Sequence, residues 1–203
     1  MSQFKAYFGS EEVKARYVKR MEDHIKADEL IRNVGFEDGK GCAVGCTLDR
    51  YSHKGFEDEL GIPEWVAHLI DTLHENTSSD VWPTFSINFL KAVKPGVNLE
   101  LIKPQFIKFI LWRNLNRVLV LDISDELKEE ITSAISLCIE AQDDKSKKSA
   151  AWSAAESAAE SAEFAARSAE SAAWSAARSA EFAECDAIAK EFLRLVDDLE
   201  GGY

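Results

Sequence analysis

Apolar residues recur every three or four positions through most of the chain, a spacing that predicts amphipathic helices. The first helix is expected to follow Ser10, whose place before Glu11 and Glu12 is typical of an N-cap, and to end just before Gly35. Only residues 118–123 have a strand-like composition, and they are too few to build a sheet. The sequence therefore predicts an all-α fold, a multi-helix globular bundle. Further helices are predicted to begin near Gly61, Asp80, Lys103 and Ser124.

The composition changes near Lys148, after which Ala, Ser and Glu dominate. We therefore predict a helical globular domain over residues 1–148 and a helical tail over residues 149–203. No Gly or Pro interrupts residues 149–200, and alanine is the best helix former. The tail is either one continuous helix of about 75 Å or a hairpin with a break near Ser168 or Cys185.

Alanines of the tail follow alternating steps of four and three, which is the spacing of a heptad seam. Such small side chains allow a second helix to approach to about 8 Å. Large aromatic residues, Trp152 and Trp174 among them, fall on nearly the opposite side of the helix. We expect both sides to be covered, one by the globular domain and one by a second copy of the tail. The alanine edge consists of Ala151, Ala155, Ala158, Ala162, Ala165, Ala169, Ala172 and Ala176.

The charge balance, 24 Lys and Arg against 36 Asp and Glu, gives a net charge of −12. Nucleic-acid binders and anionic-membrane binders need a basic surface, so neither is the expected partner class. No stretch of about 18 consecutive apolar residues is present, which argues against a membrane span. The first residues lack the apolar stretch of a secretory signal, so we expect a cytoplasmic protein with reduced cysteines.

Residues 39–47, Gly-Lys-Gly-Cys-Ala-Val-Gly-Cys-Thr, form the best candidate for chemistry. If Cys42 begins a helix, free amides and the helix dipole would lower the pKa of its thiol. His53 or His24 could act as the base, and Asp28, four residues after His24, could orient it. The candidate catalytic residues are therefore Cys42, His53, His24 and Asp28.

The same segment has a purely structural interpretation. Cysteine is among the most buried residue types, and the three glycines also suit a crowded crossing of two chain segments. Glu57, four residues after His53, is expected to pair with it. A Cys-x3-Cys spacing without a second cysteine pair is not a usual zinc pattern, and no cofactor is expected. The candidate ligand-binding residues are Lys40, Gly41, Cys46 and Glu57.

Residues 41–46 (Gly-Cys-Ala-Val-Gly-Cys), a downstream His53 and residues 59–63 (Glu-Leu-Gly-Ile-Pro) resemble a group of bacterial and phage proteins without an established activity. The resemblance extends over about residues 15–120, and similar proteins often carry an alanine- and aromatic-rich tail. It implies a bacterial or phage accessory protein and assigns no catalytic role. The composition of the tail is also similar to that of alanine-rich immunity proteins.

Two classes of function follow from these features. The first is a non-enzymatic interaction protein of bacterial or phage origin, of the immunity, anti-defence or host-modulating type. It would self-associate as a homodimer or bind a protein partner through its helical tail. The alternative is a cysteine-dependent enzyme or small-molecule-binding protein centred on residues 39–46, so whether the protein is an enzyme stays open.

Overall fold

The computed structural model describes residues 4–120, 123–169 and 174–199, with side chains given outside residues 159–181. The prediction of an all-α fold is confirmed. Beside short 3-10 turns, the described residues form helices and one pair of two-residue antiparallel strands, β1 (Phe36–Glu37) and β2 (Lys40–Gly41). The helices are α1 (Glu11–Lys26), α2 (Ala43–Leu48), α3 (Lys54–Leu60), α4 (Glu64–Asn76), α5 (Trp82–Ala92), α6 (Lys103–Leu119), α7 (Asp125–Asp143), α8 (Lys148–Ala169) and α9 (Trp174–Asp197).

Two helix starts follow from their capping residues. The Ser10 hydroxyl accepts a hydrogen bond from the Val13 amide at 3.2 Å, and the Ser124 hydroxyl accepts one from the Leu127 amide at 3.3 Å. Each bond satisfies an amide that has no partner inside the first helical turn. The predicted beginnings of α1 and α7 therefore match the structure.

The first helix ends earlier than the periodicity predicts. It stops at Lys26, and Asp28 then takes a left-handed backbone with φ 56°. The chain continues through turns and bends, and the Ile31 amide donates to the Gly41 carbonyl at 2.8 Å. Leu30, which the periodicity had placed on the apolar face of the helix, is instead buried beside Gly41, in the segment that leads into α2.

The chain forms two compact units. The first contains Met1–Ile102 together with Arg178–Tyr203, and the second contains Lys103–Ala177. The compositional boundary near Lys148 therefore lies inside the second unit, at the start of α8. Most of α9 belongs to the first unit, although the change in composition had placed it in the tail, residues 149–203.

The core of the first unit includes the end of α9. Phe192 is fully buried, stacks on Phe89 with ring centroids 5.6 Å apart, and meets the edge of Trp65 at 6.2 Å. Val196, one turn later, is also fully buried. These contacts place α9 against α4 and α5, elements that precede it by about a hundred residues.

The second unit is built from α6, α7 and α8, and α8 runs antiparallel to α7. The Cys138 thiol donates to the Ala151 carbonyl at 3.7 Å, and the Ser157 hydroxyl donates to Glu130 at 2.9 Å. As far as side chains are described, the buried residues between these two helices are alanines seven positions apart, which keeps them on one face of each helix. They are Ala134 and Ala141 on α7 and Ala151 and Ala158 on α8. In the part of the chain that the structure describes, no helix is both long and apolar enough to cross a membrane.

Candidate functional site

Gly41 and Gly45, in the segment that carries Cys42 and Cys46, allow the backbone of residues 34–36 to pass close to the start of α2. A Cβ atom added to Gly41 or to Gly45 would overlap the carbonyl oxygen of Gly35. The Cys42 amide donates to the carbonyls of Val34 and Gly35 at 2.7 and 3.2 Å, which holds the crossing in place. The chain thus needs glycine here so that residues 34–36 can lie directly on α2.

Cys42 occupies the N-cap position of α2, and its thiol is buried. Only 2% of the residue is exposed, and the Asp71 carboxylate lies near the thiol. Burial and the contact with Asp71 raise the pKa of the thiol to about 12, although the amides of Gly45 and Val44 act in the opposite direction. The expectation of a lowered thiol pKa is therefore wrong, because desolvation of a thiolate outweighs the amides of a six-residue helix.

Asp71, on α4, joins Cys42 to His53. His53 Nε2 lies 3.2 Å from Asp71 Oδ2, and the Tyr51 hydroxyl donates to the same oxygen at 2.7 Å. This hydrogen bond, more than burial, raises the pKa of Tyr51 to about 12. The ring of His68 stacks on His53 with centroids 3.8 Å apart. We call Cys42, Tyr51, His53, His68 and Asp71 the Asp71 cluster.

The sequence names two members of this cluster, Cys42 and His53, as candidates, but not Asp71, which lies near both in the structure. Asp71 lies on α4, twenty residues after Tyr51 in a loop, and no spacing rule connects them. His68 and Asp71 lie three residues apart on α4, so the helix places both beside His53. The i, i+3 spacing of His68 and Asp71 was the sequence signal for this site. It points to His53 only once α3 and α4 are known to pack together.

His24 belongs to a separate cluster, with a carboxylate on each ring nitrogen. Nδ1 lies 2.7 Å from Glu29 Oε2, and Nε2 lies 2.8 Å from Asp49 Oδ1. Arg20 holds the other oxygen of Asp49 at 2.9 Å. A carboxylate oxygen thus lies against each ring nitrogen, so neither nitrogen is open to a thiol.

The predicted pairing of His24 with Asp28 is wrong. Because α1 ends at Lys26, Asp28 is no longer on the helical face of His24, and it is exposed. Glu29 and Asp49 take its place on the two ring nitrogens. An open cavity of about 480 Å³ lies beside this cluster, with Arg16, Lys19 and His24 in its wall.

The candidate ligand-binding residues have distinct local roles. The Cys46 thiol donates to the Gly41 carbonyl at 3.3 Å, and burial raises its pKa to about 12. Glu57 accepts from the Glu64 amide at 3.1 Å and pairs with Lys54, so the predicted pairing of Glu57 with His53 is wrong. Lys40 is exposed on β2. Ligand binding by Lys40, Gly41, Cys46 and Glu57 stays a prediction.

The alanine edge has a partner within the second unit over its first part. Ala151 and Ala158 are buried where α8 packs on α7, and Ala155 is partly exposed. Helix α9 continues without interruption through Cys185, so the predicted break at that residue is wrong. The break expected near Ser168 concerns residues 170–173, outside the described residues. The other predicted interface side chains also lie outside the described part: Ala162, Ala165, Ala169, Ala172, Ala176 and Trp174.

Large apolar side chains remain exposed on the second unit. Trp152 on α8 is 75% exposed, although its neighbour Ala151 is buried. On α6, Trp112 is 57% and Leu119 is 53% exposed, and Val120 directly after it is 82% exposed. Exposed apolar residues in one small helical unit are typical of a surface that binds another protein.

Comparison of the chain with models of protein families, with curated proteins and with solved structures finds no match. Within the described residues, no group of three or more His, Cys, Asp and Glu side chains could hold a metal ion. The geometry of the two clusters and of the exposed apolar surface is therefore the basis for assigning a function.

Proposed function

We propose that this chain is a non-enzymatic interaction protein of bacterial or phage origin, of the immunity, anti-defence or host-modulating type, which binds a protein partner through its helical tail. The observation that carries the proposal is the exposure of Trp152 on α8. A tryptophan that is three-quarters exposed leaves a large apolar area in water.

The packing of the second unit supports this assignment. Among the side chains that the structure describes, those buried between α7 and α8 are alanines, which contribute little apolar area. The largest side chain at this end of α8 points away from that contact. A partner that covered Trp152 would remove its exposed apolar surface from water, and this burial would stabilise the complex. Tryptophan is also among the residues most enriched at the positions that contribute most of the binding energy of an interface.

Photo-crosslinking at position 152 tests the proposal. The full chain, with a photoreactive phenylalanine analogue in place of Trp152, is irradiated in a bacterial lysate. We expect one discrete protein adduct, which an excess of unlabelled wild-type chain removes and an excess of the Trp152→Ala chain does not.

The matched control places the same analogue at Lys145, an exposed residue in the turn before α8. We expect no adduct from this position. Equal adducts from both positions, no adduct at position 152, or equal competition by Trp152→Ala would each contradict binding through the tail.

A cysteine-dependent enzyme or a small-molecule-binding protein is the alternative. The contact of both Cys42 and His53 with Asp71 favours it, as does the cavity beside His24. The burial of Cys42 and its raised pKa weigh against a nucleophilic thiol. Native mass spectrometry of freshly purified protein tests it, since a retained small molecule that the His24→Ala variant loses would favour this alternative.

A further inference from the structure

We propose that the open cavity beside His24 binds a small sugar phosphate. Cationic side chains at one end of the cavity bind the phosphate, and carboxylates at the other end accept hydrogen bonds from the sugar hydroxyls. The inference gives a ligand class to the alternative function, a small-molecule-binding protein. It does not depend on a protein partner at Trp152, which belongs to the second unit.

The cavity lies along one face of α1, within the first unit. Arg16, Arg20 and Ala27 line it, and their spacing of four and seven residues places them on that face. Asp49, directly after α2, and Glu29, beyond the end of α1, line it as well. A cavity of about 480 Å³ has room for a small metabolite.

Positive and negative side chains of the wall are separated along α1. The cations Arg16, Lys19 and Arg20 come first, whereas Asp23 follows one turn later and Glu29 lies past the end of the helix. The seven residues from Arg16 to Asp23 correspond to about 10 Å along the helix axis. A ligand that fills the cavity therefore meets cations at one end and carboxylates at the other.

Carboxylates of the wall hold two of the three cations in place. Lys19 pairs with Asp23 at 2.6 Å. Arg20 pairs with Asp49 at 2.9 Å and donates to the Thr47 carbonyl at 3.1 Å. These contacts fix the two side chains and compensate much of their charge.

The third cation, Arg16, has no such partner. Among the described residues, no ion pair joins its guanidinium to a carboxylate, and the group lies instead 5.1 Å from the centroid of the buried Tyr17 ring. The guanidinium of Arg20 lies at the same distance from that ring. Contact with an aromatic ring orients a guanidinium without neutralising its charge. The wall thus has one positive charge that an anionic ligand would neutralise.

A phosphate suits the positive end better than a carboxylate does. The planar guanidinium matches the geometry of phosphate oxygens, and hydrogen bonds between two charged groups are the strong ones. A phosphate monoester offers three acceptor oxygens, so it can accept from Arg16 and from a second cation of the wall at once.

The other end requires hydrogen-bond donors. Ionised carboxylates such as those of Asp23 and Glu29 only accept, so a second anionic group on the ligand would be repelled there. Sugar hydroxyls donate to carboxylates, as the ribose does in dinucleotide-binding folds. An amino acid carries its ammonium and carboxylate groups on one carbon, too close together to reach both ends.

The wall also distinguishes a sugar phosphate from a nucleotide. Of the described residues that line the cavity, none is Phe, Tyr or Trp. A nucleotide base therefore has no such aromatic side chain on which to stack. The structure thus favours a ligand whose recognised parts are the phosphate and the hydroxyls alone.

Isothermal titration calorimetry on the full chain tests the proposal with ribose 5-phosphate. Ribose, inorganic phosphate and AMP are titrated separately. We expect ribose 5-phosphate to bind at least about tenfold more tightly than ribose or phosphate, because it makes the contacts of both. AMP should bind no more tightly than ribose 5-phosphate. No binding of ribose 5-phosphate, equal binding of inorganic phosphate, or tighter binding of AMP would each overturn the inference.

Two variants separate the ends of the cavity. Arg16→Gln should weaken the binding of ribose 5-phosphate at least about tenfold and leave the urea midpoint unchanged, since Arg16 is exposed. Glu29→Gln should weaken the binding of ribose 5-phosphate but not that of inorganic phosphate. A Glu29→Gln chain that binds ribose 5-phosphate as the wild type does would contradict the role of the carboxylate end.

Two controls accompany these variants. Lys26→Gln removes the same charge from an exposed residue of α1 outside the cavity wall and should leave binding unchanged. Trp152→Ala should also bind ribose 5-phosphate as the wild type does, so the outcome here is independent of the photo-crosslinking result. Equal losses in Arg16→Gln and Lys26→Gln, or a loss in Trp152→Ala, would show that the phosphate does not bind at this cavity.

Discussion

At Cys42, the helix N-terminus and burial act on one thiol in opposite directions. The amides of Val44 and Gly45 favour the thiolate, whereas desolvation and the neighbouring Asp71 carboxylate favour the thiol. Burial is the largest of these effects, so the thiol remains protonated at neutral pH. In the Asp71 cluster, hydrogen bonds thus join the loop that carries Tyr51 and His53 to α4, and the buried Cys42 thiol at the start of α2 lies near the same carboxylate.

The rate at which the Cys42 thiol of the native protein is alkylated reports whether that thiol is protonated. At pH 8 we expect iodoacetamide to modify Cys42 and Cys46 roughly a thousandfold more slowly than a free cysteine, because a pKa of about 12 leaves few thiolates. Cys138 and Cys185, which are partly exposed, serve as internal references in peptide mass spectrometry. Labelling of Cys42 at the rate of Cys138 would refute the protonated, buried thiol.

Because the backbone of Gly35 crosses directly over Gly45, adding one methyl group at Gly45 should strongly lower the stability of the protein. Gly45→Ala should lower the free energy of unfolding by about 3 kcal/mol, since the new Cβ meets the backbone oxygen of Gly35, which moves only with its chain. Urea denaturation measures the change. Gly55→Ala is the control, because there the Cβ meets a terminal side-chain carbon of Leu48, which can shift without moving the backbone, and the helix gains propensity. Equal effects of the two substitutions would contradict the tight crossing.

At the scale of elements, α7 and α8 pack through alanines. The first alanines of the alanine edge on α8 pack against Ala134 and Ala141 on α7, so this part of the edge has a partner within the same chain. The sequence predicted a close helix partner for the stripe and left its identity open between the globular domain and another copy. Over Ala151 and Ala158 the partner is α7, a helix within residues 1–148, which the sequence had assigned to the globular domain.

A larger side chain in this contact should separate the two helices. Ala158→Leu is expected to destabilise the protein by about 1–3 kcal/mol, because the alanine-lined space has no room for three more carbons. Ser153→Leu, on the exposed side of the same helix, is the control of equal size and should change stability by less than about 0.5 kcal/mol. Thermal unfolding followed by circular dichroism distinguishes the two. A neutral Ala158→Leu would show that the alanines do not pack closely.

At the scale of the whole molecule, the two ends of the sequence meet in one unit. Helix α9 brings Phe192 and Val196 into the core formed by residues before Ile102. The second unit, Lys103–Ala177, is therefore an insertion between two parts of the first. A chain that ends at Lys148 would lack part of the first unit's core, so point substitutions test the tail more cleanly than truncation does.

Phe192→Ala tests the place of α9 in the first unit. Loss of a fully buried phenylalanine is expected to cost about 3–5 kcal/mol in urea denaturation. Leu193→Ala removes a partly exposed neighbour on the same helix and should cost clearly less. A cost of Phe192→Ala below that of Leu193→Ala would mean that α9 does not complete this core.

The sequence by itself determined the all-α class, the starts of α1 and α7 at Ser10 and Ser124, and the helical character of the tail. These features depend on contacts within about four residues, which a sequence pattern displays directly. Only the tertiary structure decided that Asp71 joins Cys42 to His53, that burial controls the Cys42 thiol, and that Phe192 belongs to the first unit. Those outcomes depend on residues tens to a hundred positions apart, and on desolvation that exists only once the elements have packed.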